Sequence, residues 1–201
     1  MNEKLSSQEQ VLEIYDNIRY NSRYCFFIRR LSAMYYAQIR KYDTANGPGI
    51  RSSLFVSGCT HNCQGCFNRE FMKFNYGKVW TKEVADEFIE MITDPQVKGV
   101  TILGGEPMDQ IQDDDLLKLL KRIKEETRKD IWLYSGYTYE QIMQHKLRKE
   151  MLFLCDVLVD GLFVEELKNL KLKFKGSSNQ RIIDIKQSTA KNKVMIQAGY
   201  E

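Results

Sequence analysis

Three cysteines, Cys59, Cys63 and Cys66, fall within the eight residues Cys59-Thr60-His61-Asn62-Cys63-Gln64-Gly65-Cys66. The spacing C-x3-C-x2-C suits thiolate ligands of one metal centre. A cubane cluster has four irons, so three thiolates leave one iron without a protein ligand. That open corner can bind a small molecule through its own nitrogen and oxygen atoms. The competing reading is a zinc site completed by His61, Cys25 or Cys155. Structural zinc usually draws on two separated pairs of ligands, whereas here one compact triplet stands alone, and the cluster is the better fit. Five cysteines is also an odd number, which suits reduced metal ligands better than a secreted disulfide framework.

A second motif, Gly104-Gly105-Glu106-Pro107, follows the β-rich run Gly99 to Leu103. Ligands in α/β folds bind at the carboxyl ends of parallel strands. Two glycines let a backbone approach a ligand closely, and the neighbouring carboxylate can accept hydrogen bonds from an ammonium group. Taken alone, the tetrapeptide reads equally well as a strand-ending turn. Other polar residues have plain readings. Cys155, in an apolar run, is a buried free thiol, and Cys25 is unrelated to the triplet. Asp113, Asp114 and Asp115 favour the positive end of a helix dipole over a metal. His145 is expected to be solvated, while His61 either tunes the metal site or packs within the loop. Arg181 faces either a cofactor or a partner.

The elements that must hold these residues alternate. Strands are expected at Ser52 to Val56, leading into the cysteine loop, then at Gly99 to Leu103, Ile131 to Tyr134 and Phe153 to Val159. Between them, Val84, Phe88 and Ile92, with Ala85 and Ile89, form one helical stripe, and Leu116, Leu117, Leu120 and Ile123 form another. A third helix should start at Thr138 with Gln141 completing a capping box. Repeated strand–helix–strand units imply a parallel sheet with crossover helices, an α/β fold. Asn46-Gly47-Pro48-Gly49 is a turn that reverses the chain before the first of these strands. Arg181 to Ile185 and Val194 to Ile196 are expected as closing strands.

The chain has 201 residues, 43% hydrophobic and 28% charged, enough for one domain with a substantial core. A net charge of +3, spread without long runs, gives no support to nucleic-acid or membrane-surface binding. No apolar run is long enough to span a bilayer, and the polar residues Tyr35 through Asp43 after Arg29-Arg30 do not suit a twin-arginine signal. A cytoplasmic location is expected. Residues 1–33 are read as an N-terminal extension, either an appended helix using Val11, Tyr15 and Ile18 or read-through upstream of a start at Met34, and residues 34–201 as the functional domain.

Together these segments resemble the radical S-adenosylmethionine superfamily, and more narrowly the activating proteins of anaerobic ribonucleoside-triphosphate reductase. The resemblance runs from Met34 through Asn46 to Gly49, Ser57-Gly58-Cys59, the cysteine triplet, Gly104 to Pro107, Ser135 to Thr138, Val159-Asp160-Gly161 and Gly176 to Gln180. It implies an incomplete TIM-type (βα) barrel and an oxidoreductase that binds a 4Fe-4S cluster and S-adenosylmethionine. It implies that Cys59, Cys63 and Cys66 ligate the cluster, that Gly104, Gly105 and Glu106 receive the methionyl end of the cofactor, and that Gly65, Cys66 and Phe67 lie against its adenine. Much of the superfamily has an aromatic residue just before the third cysteine; here that residue is Gly65, with Phe67 just after. Reductive cleavage would give methionine and a 5'-deoxyadenosyl radical, which takes a hydrogen atom from a glycine of the reductase. A flavodoxin-type protein would supply the electron. No acid or base side chain is required, because the cofactor and cluster carry the hard step.

Overall fold

A computed structural model of the chain describes residues 33–200. The expected helix around Val11 and the reading of Cys25 lie outside the described residues. The described residues from 34 onward make one compact unit. It is an α/β fold built on a seven-stranded mixed sheet with the order β3-β1-β2-β4-β5-β6-β7. The strands are β1 (Tyr35–Asp43), β2 (Arg51–Val56), β3 (Lys78–Val79), β4 (Gly99–Gly104), β5 (Asp130–Ser135), β6 (Val157–Asp160) and β7 (Arg181–Asp184). β2, β4, β5 and β6 run parallel, while β1, β3 and β7 pair antiparallel with their neighbours. The sheet is not closed: β3 and β7 are its edges.

Crossover segments join the parallel strands as the alternation predicts. Helix α1 (Lys82–Ile92) lies between β3 and β4, α2 (Asp115–Glu126) between β4 and β5, and α3 (Tyr139–Met143) with α4 (Lys146–Leu152) between β5 and β6. A fifth helix, α5 (Ile185–Lys191), follows β7. Phe88 and Ile92 of α1 and Leu116, Leu120 and Ile123 of α2 join Leu54, Val100, Ile102, Ile131 and Leu133 in one buried cluster. Alternate residues of the same strands, Trp132, Val157, Val159 and Ile182, pack on the other face with Phe174 and Tyr200. Period-2 alternation thus divides β5, β6 and β7 between two apolar layers.

The turn at Asn46–Gly49 reverses the chain between β1 and β2, with φ of +141° at Gly47 and +76° at Gly49. A side chain at Gly47 would strike Arg51, whose buried guanidinium bridges the strands. Its Nε donates to Thr101 Oγ1 at 2.7 Å and its Nη2 to Asp130 Oδ1 at 2.6 Å. The capping box at Thr138 is present, with Thr138 Oγ1 accepting from Gln141 N and Gln141 Oε1 accepting from Thr138 N.

Some expectations need correction. Phe153 to Val159 is not one strand: α4 ends at Leu152, Phe153 is its C-cap, and β6 begins only at Val157. A short apolar run cannot separate a helix end from a buried strand. β7 stops at Asp184, whose carboxylate accepts from Gln187 N and starts α5. Val194 to Ile196 contributes an isolated bridge, Ile183 to Ile196, and no strand. His145 is half-buried, and its Nδ1 accepts from Arg148 N to cap α4. Arg181 pairs with Glu140 and Asp160.

The acidic triplet does open a helix, with Asp113 Oδ1 accepting from Asp115 N at 3.0 Å. Burial, with help from Asp115 and Asp114, pushes the Asp113 carboxyl up to about 6. The folded form then holds a proton more tightly than the unfolded form between about pH 4 and pH 6. This contribution to stability is full below the ordinary carboxyl range and lost as the pH rises through about 6. Asp113→Asn keeps an oxygen for Asp115 N, so thermal unfolding should show a gain of roughly 1 kcal/mol at pH 7 and almost none near pH 4.

Candidate metal centre

Parallel strands β2, β4, β5 and β6 bring their following loops to one edge of the sheet. Val56 pairs with Gly104 and Ser135 with Asp160, so the cysteine loop, the Gly104–Glu106 segment, Ser135–Tyr137 and Asp160–Gly161 share that edge. Cys59, Cys63 and Cys66 are all free and partly exposed. Burial pushes the Cys59 thiol up to about 11, with Glu106 and Asp109 adding to the rise and the His61 and Asn62 main-chain N–H groups opposing it. Burial also raises Cys63, with Cys66 adding to it, while the main-chain N–H of Phe163 opposes the shift. Such thiols are poor nucleophiles and become thiolates when a cation replaces the proton.

The two glycines of Gly104-Gly105 are demanded by the fold itself. A Cβ on Gly105 would collide with the Gly58 carbonyl oxygen, and one on Gly104, where φ is +111°, with Val56. Gly105 N donates to Val56 O at 2.8 Å and Glu106 N to Gly58 O at 2.7 Å. The two strand ends therefore touch through their main chains.

Glu106 is buried and its carboxylate accepts four hydrogen bonds. Oε1 takes Met108 N and Ser135 Oγ, both at 2.8 Å, while Oε2 takes Gly136 N at 2.7 Å and lies 3.1 Å from His61 Nε2. That contact raises the pKa of the His61 imidazole against the effect of burial. One carboxylate thus ties the cysteine loop to the ends of β4 and β5. His61 also stands edge-on to Tyr137, with ring centroids 4.3 Å apart.

Of the fourth ligands a zinc site could use, Cys25 lies outside the described residues. No group of three or more His, Cys, Asp or Glu among the described residues could hold a single metal ion. His61 is engaged by Glu106, and Cys155 is a buried free thiol in the apolar cluster, its Sγ 3.4 Å from Met151 O. A cubane spreads its ligands over separate irons, so three thiols on one loop suit it without converging on a point.

Several residues at this edge carry no signal in spacing or periodicity. Asn68 Nδ2 donates to Gly104 O at 3.0 Å, linking the segment after the third cysteine to β4. Asp109, three residues after Glu106, accepts from both the main chain and hydroxyl of Thr60. The segment after β6 also reaches the loop: Gly65 has φ of +66°, and a Cβ there would strike the Glu165 carboxylate. Phe67 stands against Phe163, with centroids 5.1 Å apart, and Lys168 lies over the Phe67 ring. Of these, Gly65 and Phe67 are singled out by the resemblance; only adjacency to motif segments points to the others.

Residues 45–183 match a family described as the 4Fe-4S single cluster domain. The chain is 41% identical over 150 residues to the anaerobic ribonucleoside-triphosphate reductase-activating protein of Escherichia coli K12, covering 73% of this chain and 96% of that one. It is 40% identical over 152 residues to the protein of the same name from Vibrio cholerae, covering 74% and 97%. With the protein of that name from Enterobacteria phage T4 it shares 37% identity over 150 residues, covering 74% and 93%.

Proposed function

Because the chain belongs to the family of anaerobic ribonucleoside-triphosphate reductase-activating proteins, we propose that it activates such a reductase by placing a glycyl radical on it. The observation that carries this reading is the convergence of Cys59, Cys63, Cys66 and Gly104–Glu106 at one edge of the parallel strands. The three cysteines would hold a 4Fe-4S cluster. When bound and reduced, that cluster would supply the electron that cleaves S-adenosylmethionine to methionine and a 5'-deoxyadenosyl radical. The open sheet is read as the incomplete barrel of the radical S-adenosylmethionine type, and the protein as an oxidoreductase.

The chain's own residues would bind and orient the cofactor. Its methionyl end would lie at Gly104, Gly105 and Glu106, where the Glu106 carboxylate can serve an ammonium only by giving up one of its four donors. Gly65, Cys66 and Phe67 would lie against the adenine. Free thiols suit the cytoplasm, where they stay reduced, and a flavodoxin-type donor there would supply the electron. No helix among the described residues is long and apolar enough to cross a membrane.

A protein substrate also suits the rim. Phe67 is 58% exposed and Leu162 is 44% exposed, and Leu162 lies beside Gly136 and near His61. Leu162→Ser should lower radical formation on the reductase by roughly 10-fold, as loss of an interface anchor would. Iron content and cofactor cleavage without the reductase should stay at the wild-type level, and a fall in either would remove Leu162 from the docking surface.

The deciding experiment is anaerobic reconstitution with iron and sulfide, reduction, addition of S-adenosylmethionine, and assay of 5'-deoxyadenosine with and without the reductase. Cleavage together with a glycyl-radical resonance on the reductase would support the whole reading. Cleavage without that resonance would move the substrate elsewhere. A colourless protein that takes up zinc and cleaves nothing would overturn it.

A further inference from the structure

Between Cys59 and Cys66 the chain has neither strand nor helix, so its course depends on a few tethers. Thr60, between Cys59 and Cys63, is exposed. Its main-chain N–H and hydroxyl both donate to Asp109 Oδ2, at 2.9 and 2.8 Å. The other oxygen, Oδ1, accepts from Tyr137 Oη at 2.8 Å and Arg148 Nη2 at 3.3 Å. Arg148 is fixed in turn: its Nε donates to Met108 O at 2.8 Å, its Nη2 to Tyr137 Oη at 2.9 Å, and its guanidinium lies 3.8 Å from the Tyr137 ring centroid. Four segments thus meet at one buried carboxylate: the cysteine loop, the end of β4, the end of β5 and α4.

We infer that Asp109, held by Tyr137 and Arg148, is a positioning residue that fixes the Cys59–Cys63 turn in the form that receives the cluster. The inference rests on the reading that Cys59, Cys63 and Cys66 hold a 4Fe-4S cluster. Hydrogen bonds in a buried network are stronger than in water, and both Thr60 donors point at a single oxygen, which sets the turn's position and its orientation. Arg148 has a second effect. A buried carboxylate beside anionic thiolates would oppose their charge, and the guanidinium at 3.3 Å neutralises it. Outer partners of this kind typically change metal affinity by about 10- to 100-fold. Net charge around a cluster also sets its reduction potential.

The test uses the reconstituted full chain with Thr60→Val, Thr60→Ser, Asp109→Asn and Arg148→Gln. Three quantities are read: iron loss to a chelator under anaerobic conditions, the cluster's reduction midpoint by resonance titration, and melting of the cluster-free protein. Thr60→Val and Asp109→Asn should lose iron about 10-fold faster or more. Thr60→Ser, which keeps the hydroxyl, should stay at the wild-type rate, and melting of the cluster-free Thr60→Val should match wild type. Asp109→Asn removes a negative charge and should raise the midpoint, while Arg148→Gln exposes one and should lower it. A merely structural role would not give opposite signs. Iron loss within about twofold of wild type in Thr60→Val and Asp109→Asn, or midpoints moving together, would overturn the inference. If Asp109→Asn does not fold, the exposed Thr60 pair carries the test. Failure of the wild-type protein to take up any cluster would instead remove the reading beneath it.

Discussion

Serine in place of Cys59, Cys63 or Cys66, one at a time, is expected to abolish cluster assembly and with it radical formation, by more than about 100-fold. Removing a direct ligand should exceed the about 10- to 100-fold effect typical of outer partners. All three thiols are partly exposed and lie outside both apolar clusters, so the cluster-free protein should melt within about 0.5 kcal/mol of wild type. Iron analysis and visible absorbance after anaerobic reconstitution measure the first effect, and calorimetry of the cluster-free form the second. Cys155→Ser is the contrasting case. Its thiol is buried in the apolar cluster, and burial raises its pKa far above the ordinary thiol range. That variant should lose stability and keep its iron. A Cys63→Ser protein that retained full iron content would remove the triplet from the ligand set.

Glu106→Ala is expected to be the most damaging change outside the cysteines. It would leave Met108 N, Ser135 Oγ, Gly136 N and His61 without their acceptor in one buried place. Unmet buried groups cost about 1 to 3 kcal/mol each, and water entering the gap would offset part, so a net loss of roughly 3 to 5 kcal/mol is expected from denaturant unfolding. Glu106→Gln separates charge from shape, because its amide can accept from only some of these donors. An intermediate loss is expected for it. If Glu106→Ala unfolded like wild type, the carboxylate would not be the tie between the strand ends.

The parallel core of the fold was legible because its signals are local and repeated. Val84, Phe88 and Ile92 fall on one helical face, and Thr138 with Gln141 forms the capping box that was read from sequence. The antiparallel strands β1 and β3 were not. β1 is mostly polar, with Tyr36 and Asp43 its only buried residues, so it shows no apolar alternation for a period search to find. Phe153 to Val159 misled for the opposite reason: an apolar run broken only by Asp156 conceals the point where α4 ends and β6 begins. At the site, the cysteine spacing identified the loop, since metal ligands must be close in sequence to share a turn. Asp109, Tyr137 and Arg148 could not be found that way. Their partnership depends on two strand ends and α4 meeting at a sheet edge, and the residues are separated by 28 and 11 positions along the chain.

The contact between Gly58 and Gly105 carries a consequence for any effort to redesign this protein. Here main chain meets main chain with no room for even a methyl group, so the gap between the cysteine loop and the end of β4 is a constant of the scaffold. A mutational library at positions 104 or 105 would consist almost wholly of misfolded members. Diversity aimed at a new protein partner belongs at exposed positions such as 162, where sequence can drift while the spacing between loop and strand stays fixed.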